Sequence, residues 1–137
     1  MKCITSKLGG YDLLSSTPSI LVVDDELDIV VIFKQALRRQ GYTVFGFTDP
    51  LLALEHFKVN CEGYGLVIAD VRMPRMSGFE LAANIKTIKP DAKVVLMSAF
   101  EVSDLEFSMP GIKIYDFLRK PVDIQTLVQR VKIVMAN

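Results

Sequence analysis

Ile20-Leu21-Val22-Val23-Asp24-Asp25-Glu26 opens the informative part of the chain: an apolar run, then a run of acids. A strand with one buried face alternates apolar and polar side chains, whereas a continuous apolar run suits a strand covered on both faces. The period then changes. Ile29, Ile32, Phe33, Ala36 and Leu37 recur at helical spacing, and Gly41 stands where such a helix would end. The same alternation continues downstream. Tyr42 to Phe47 predicts a second strand, and Asp49-Pro50 reads as an N-cap with proline at the first helical position, opening a helix through Phe57. Leu66 to Ala69 and Val94 to Met97 predict the third and fourth strands, with a helix from Gly78 to Lys89 between them, stopped before Pro90. Val102 to Phe107 reads as a weak, short helix cut off by Pro110-Gly111. Tyr115 to Arg119 predicts the fifth strand. Asp123 is placed to cap a last helix with Ile124, Leu127, Val128, Val131, Val134 and Met135 on one side.

Strand followed by helix, repeated along the chain, predicts an α/β domain: a parallel sheet with helices on both faces and right-handed crossovers. For five strands the expected spatial order is 2-1-3-4-5, the flavodoxin-like doubly wound arrangement. Ligands of such sheets sit beyond the carboxyl ends of the strands where the winding direction switches. Here that point falls between the first and third strands.

A chain of 137 residues has room for one such domain. Residues 1–18 stand apart, because Gly9-Gly10, Ser15-Ser16 and Thr17-Pro18 are breakers and Leu8, Leu13 and Leu14 set no period. They are expected to form a flexible leader ahead of a domain over 19–137. Hydrophobic residues make up 50% of the chain and charged ones 23%, which excludes a disordered or fibrous protein. The 16 basic and 16 acidic side chains balance, so no general attraction to nucleic acid or anionic membrane is expected. No apolar run approaches the roughly 18 residues of a membrane-crossing helix, and the start lacks the apolar stretch of a signal peptide. Cys3 and Cys61 are too few for a zinc site and match no redox motif. A cytoplasmic protein with two incidental reduced thiols is expected.

The chemistry concentrates at the predicted carboxyl ends. The first strand ends in Asp24-Asp25-Glu26, the third in Asp70, the fourth in Ser98 and the fifth in Lys120-Pro121. Each piece alone has an ordinary explanation: acids favour helix starts, and serine favours turns. Together they bring acids, a hydroxyl and an amine to one edge. Asp24, Asp25 and Asp70 packed together repel unless a cation sits among them or protons are taken up. Hard carboxylate oxygens with water suit magnesium. With Lys120 and Ser98 beside them, the set could hold a transferred phosphoryl group by positioning and charge neutralisation. His56 falls on the second predicted helix, away from this cluster, as a surface or flanking residue.

Asp24-Asp25, Asp70-Val71-Arg72-Met73-Pro74-Arg75-Met76-Ser77-Gly78, Ser98-Ala99 and Phe117-Leu118-Arg119-Lys120-Pro121 resemble the receiver domains of two-component response regulators. The likeness spans about Pro18 to Asn137. It implies that Asp70 is the phosphoacceptor, attacking the phosphohistidine of a sensor histidine kinase or phosphotransfer protein. It implies a Mg2+ ion held by Asp25, Asp70 and the backbone carbonyl of Arg72, with Asp24 helping directly or through water. Lys120 would contact the phosphoryl oxygens and Ser98 would swing to hydrogen-bond one of them. Phe117 would turn inward behind Ser98, coupling phosphorylation to a protein-binding surface. A cis bond at Lys120-Pro121 is also implied.

The resemblance is incomplete. Lys113-Ile114 stands where receivers often carry Gly-Ala, and Pro110-Gly111 interrupts the region of the usual fourth helix. Ile29, Val30 and Val31, with Pro121 and Val122 nearby, are expected to form the partner-facing rim, although Val30 and Val31 lie where a solvated helix face belongs. Arg72 and Phe100, each two residues beyond a site group, are expected to lean over the pocket mouth and slow hydrolysis. The expected protein is therefore a signalling switch rather than an enzyme, without an output domain, passing its signal to an unidentified downstream protein. It could equally be a module of a longer regulator. A magnesium-dependent aspartyl-phosphate phosphatase is disfavoured by the absence of a D-x-D pair at a strand end. A flavin or nucleotide module is disfavoured by the absence of G-x-G-x-x-G and G-x-x-x-x-G-K.

Overall fold

The computed structural model describes residues 18–100 and 111–136. Five parallel strands, β1 (Ser19–Val23), β2 (Val44–Phe47), β3 (Tyr64–Asp70), β4 (Val94–Ser98) and β5 (Asp116–Arg119), form one sheet in the order 2-1-3-4-5. The described helices are α1 (Leu27–Arg39), α2 (Pro50–Asn60), α3 (Gly78–Ile88) and α4 (Ile124–Ala136), with a 3₁₀ turn over Cys61–Gly63. This is the flavodoxin-like fold expected. Residues 1–17 of the predicted 1–18 leader and the predicted helix Val102 to Phe107 lie outside the described residues.

Each face of the sheet owns half the core. Leu21, Val23, Val67, Ala69, Val94 and Leu96 point toward α2 and α3, packing on Phe57, Leu81 and Ile85. Ile20, Val22, Leu66, Ile68, Val95 and Met97 point the other way, onto Phe33 and Leu37 of α1 and Leu127, Val131 and Val134 of α4. The central strands read as unbroken apolar runs because alternate side chains serve different helix layers. Helix ends follow local chemistry as expected. Asp49 accepts from Leu51 N at 2.9 Å, Asp123 accepts from Thr126 N at 2.8 Å, and Gly41 follows α1 at φ 95°.

The phase of α1 departs from expectation. Val30, expected on the outer face, is buried at 3% exposure, whereas Ile32, expected inside, is 46% exposed. The cause is Gly46 on β2: a Cβ there would lie 2.4 Å from Val30 Cγ1, so the missing side chain leaves the hollow that valine fills. Cys61 is buried and is not a free thiol, so the expectation of incidental reduced thiols does not hold for it. Cys3 lies outside the described residues.

His56 is half-buried rather than at the surface. Its ring lies 5.3 Å from that of Phe45 and 5.0 Å from that of Phe47, and Nε2 hydrogen-bonds the Tyr64 hydroxyl. Burial holds its pKa below the usual histidine value. The unfolded chain therefore takes up this proton first as pH falls, and stability is lost from about pH 6.5 downward until the folded pKa is passed. Denaturant midpoints across that range are expected to fall less for His56→Gln than for the wild type. Parallel curves would refute the assignment.

Candidate functional site

The strand register brings the polar residues together. Val23 pairs with Ala69, Asp70 with Met97, and Ser98 with Arg119. Asp24, Asp70, Ser98 and Lys120 consequently sit at neighbouring carboxyl ends, each just where its strand's apolar run stops. Asp24 is fully buried and Asp70 is 7% exposed, while Asp25 is open to solvent. Carboxylate oxygens of all three lie within 4.8 Å of one another.

Lys120 answers this charge from β5. Its Nζ donates to Asp70 Oδ2 at 2.9 Å and lies 3.0 Å from Asp24 Oδ2 and 3.7 Å from Glu26 Oε1. The Asp24 contact is close enough for strong attraction, but it is not aligned as a hydrogen bond, and Asp24 Oδ2 has no hydrogen-bond partner. Burial pushes the Asp24 carboxyl above its usual pKa, opposed by the Glu26 amide and Lys120, with Asp70 adding repulsion. Burial works against the Lys120 charge, yet Asp70 and Asp24 outweigh it, so the ammonium is held above its usual value. The Lys120 backbone is tied to β4, Lys120 N donating to Ser98 O at 2.8 Å; the Lys120-Pro121 bond is cis, as the resemblance implied.

Asp24 Oδ2, buried beside the Lys120 ammonium but with no aligned hydrogen bond, and close to two more carboxylates, belongs to a donor set that suits a hard divalent cation. The residues present fit magnesium. Asp24, Asp25, Asp70 and the carbonyl of Arg72 would hold it, with water completing the shell.

The remaining expected residues are placed as follows. Ser98 is buried, and its Oγ accepts from Phe100 N at 3.0 Å. Arg72 N approaches Asp70 Oδ1 at 3.4 Å. Phe117 is half-buried, and its ring lies 6.2 Å from that of Phe79 on α3.

Three features that support the site were not expected from the sequence. Gly78, the first residue of α3, is pressed against the end of β3: a Cβ there would lie 2.4 Å from Asp70 O. Ser77 and Glu80 close a reciprocal cap around that helix start, with Glu80 N donating to Ser77 Oγ at 3.1 Å and Ser77 N to Glu80 Oε1 at 3.2 Å. Arg75 holds φ 72° at the tip of the β3–α3 loop and pairs with Asp49 at 2.9 Å, tying the loop to the start of α2. The glycine was visible in the motif, but close packing of α3 on β3 was not.

The family model for the response regulator receiver domain matches residues 20–132. The phosphoglycerate transport system transcriptional regulatory protein PgtA of Salmonella typhimurium is 34% identical over 113 residues, covering 81% of this chain and 26% of that protein. The chain thus spans about a quarter of that regulator's length. Sporulation initiation phosphotransferase F of Bacillus subtilis is 29% identical over 113 residues, covering 82% of this chain and 90% of that one. The solved structure of response regulator TrrA from Thermotoga maritima, in complex with Mg2+ and BeF, superposes with a TM-score of 0.73 at 33% identity, covering 86% of this chain and 99% of that one. With the sheet order, the strand-end acids and the Asp70–Gly78 loop in place, the chain belongs to the response regulator receiver domain family.

Proposed function

We propose that this receiver accepts a phosphoryl group on Asp70 from a sensor histidine kinase or phosphotransfer protein and passes the change to a downstream protein. The observation that carries the reading is Asp70 itself: a nearly buried carboxylate, hydrogen-bonded by Lys120 at 2.9 Å, among acids that need a cation. An Asp70 oxygen attacks the phosphorus as the bond to the histidine nitrogen breaks. When bound, magnesium neutralises charge on the phosphoryl oxygens. Lys120 follows one of those oxygens with its ammonium, and Ser98 supplies a hydroxyl to another. Movement of Ser98 makes room for Phe117 to turn inward, which alters the surface around β5 and α4. The chain acts as a switch that assists its own phosphorylation and hydrolysis rather than as an enzyme for an outside substrate, in the cytoplasmic setting its sequence suggests. Incubation with magnesium and acetyl phosphate, followed by mass mapping, tests this reading: one labile adduct on Asp70 is expected, and an adduct elsewhere refutes it.

Magnesium binding to the folded state alone should raise the melting temperature by mass action. Asp25→Ala should remove most of that rise, and Ser98→Ala little of it, since the hydroxyl is not assigned as a ligand. Equal losses in the two variants would contradict the ligand set.

The partner-facing rim needs revision. Val30 is in the core, and the groove of about 330 Å³ beside Lys120 is lined by Ile29, Phe33, Pro121 and Val122 rather than by Val31. Ile32, one turn beyond Ile29, continues that ridge into solvent. Ile32→Lys is expected to slow transfer from a cognate kinase by about fivefold or more, the scale of an interface anchor. Val31→Lys should slow it less, and transfer from acetyl phosphate should be unaffected in both. Equal slowing with both donors would show that the ridge is not a docking surface.

A further inference from the structure

We infer that the ion pair between Arg75 and Asp49 is a latch that holds the β3–α3 loop in a strained turn, and that this latch sets how tightly magnesium binds. The inference rests on the magnesium ligands of the proposed function and deepens that reading by naming a positioning residue outside them. The loop over residues 71–77 is fastened at both ends: Val71 N donates to Met97 O at 2.9 Å, and Gly78 N donates to Val71 O at 2.9 Å. Between those ends lies the Arg72 carbonyl, assigned to the metal, and three residues beyond it the chain doubles back. Met76 N donates to Pro74 O at 2.8 Å, closing a three-residue turn around Arg75, whose φ is 72°. The positive φ makes this the rare, strained hand of the γ-turn, which glycine adopts freely and arginine does not.

A residue other than glycine stays in such a conformation only where its surroundings impose it. Burial does not hold Arg75, whose side chain is 62% exposed; the contact that does is Asp49 Oδ2, 2.9 Å from its Nη1. Asp49 is itself fixed, because its Oδ1 caps α2 by accepting from Leu51 N at 2.9 Å. The strand before it is joined to the acid edge, Asp24 N donating to Phe47 O at 3.1 Å. The latch therefore ties the loop that carries the Arg72 carbonyl to the scaffold that carries Asp24. Without it, Arg75 relaxes toward negative φ and the chain on either side swings. The metal must then reorder the carbonyl as it binds, which weakens binding.

The sign of the effect separates a latch from a charge. A guanidinium that acted on the site only through its field would repel magnesium, and its removal would tighten binding. A latch does the reverse: its removal loosens binding, but only while residue 75 is strained. Glycine at this position needs no partner to hold the turn.

The test is a titration with magnesium alone, read as the rise in melting temperature. Each variant is referred to its own metal-free melting temperature, so a loss of stability does not count as weaker binding. Arg75→Gln keeps the strain and loses the pair, and should weaken apparent magnesium affinity by about two- to fivefold, the equivalent of an exposed charge pair. Arg75→Gly loses both, and should recover most of that loss. Asp49→Asn keeps an oxygen for the α2 cap. It should weaken binding as Arg75→Gln does, yet change little when combined with Arg75→Gly. Tighter binding in Arg75→Gln shows that Arg75 acts by its charge and overturns the latch. An unchanged Arg75→Gln, or equal weakening in the glutamine and glycine variants, also overturns it. All three results leave magnesium binding by the wild type standing. A wild type that does not respond to magnesium removes the metal site, and the latch with it.

Discussion

Asp70→Asn is expected to abolish the phosphoryl adduct completely while leaving the fold intact. The amide keeps the side chain's shape and one acceptor oxygen but is no nucleophile. It also removes one charge from a cluster whose oxygens lie within 4.8 Å of one another, and that repulsion is part of what holds the Asp24 carboxyl above its usual pKa. The loss is not free, because Lys120 gives up a charge-assisted hydrogen bond of 2.9 Å. The metal-free variant should therefore melt close to the wild type, and its response to magnesium should largely disappear. Intact mass after acetyl phosphate treatment, with melting curves with and without magnesium, checks both halves. An adduct formed at wild-type rate on another residue would remove Asp70 from its proposed role.

Gly78→Ala should be the most damaging single-methyl change near the site. Glycine at a helix position normally costs about 0.5–1 kcal/mol relative to alanine, so this substitution would ordinarily stabilise. Here the added Cβ would stand 2.4 Å from Asp70 O and 3.0 Å from both Asp70 C and Val71 Cα. Backbone cannot rotate aside as a flexible side chain can. The helix start is also held by the Ser77–Glu80 cap and by Gly78 N donating to Val71 O at 2.9 Å. Relief requires α3 to retreat from β3, carrying the acceptor loop with it. A net destabilisation of about 1–3 kcal/mol is expected, the usual cost of overpacking, together with slowed labelling of Asp70. Chemical denaturation and the labelling rate measure the two effects. A variant as stable as the wild type would mean that the contact relaxes without cost.

How much of this was legible in the chain differs from element to element. Runs such as Ile20 to Val23 and Val94 to Met97 announced strands buried on both faces, and the sheet order followed from the connectivity of five such units. The site was legible for the same reason. In a parallel sheet every strand ends at the same edge, so Asp24, Asp70, Ser98 and Lys120 could be brought together by counting from the end of each apolar run. Boundaries were less accurate: β3 extends from Tyr64 to Asp70 rather than from Leu66 to Ala69, and β2 begins at Val44 rather than Tyr42.

The sequence by itself determined the alternation of strand and helix, the edge where the chemistry lies, and the residue types available there, because these depend on local period and on chain direction. Only the tertiary structure decided which side chains meet. In α1 a run of five apolar residues from Ile29 to Phe33 is compatible with more than one buried stripe, and the hollow at Gly46 on another strand selected Val30 over Ile32. His56 gained its aromatic surroundings from β2 and β3, and Arg72 its partner Phe100 from the neighbouring loop. Helical periodicity specifies an angle around one axis. Which angle faces inward is set by the shape of the surface against which that helix closes, and that surface exists only after distant segments have packed.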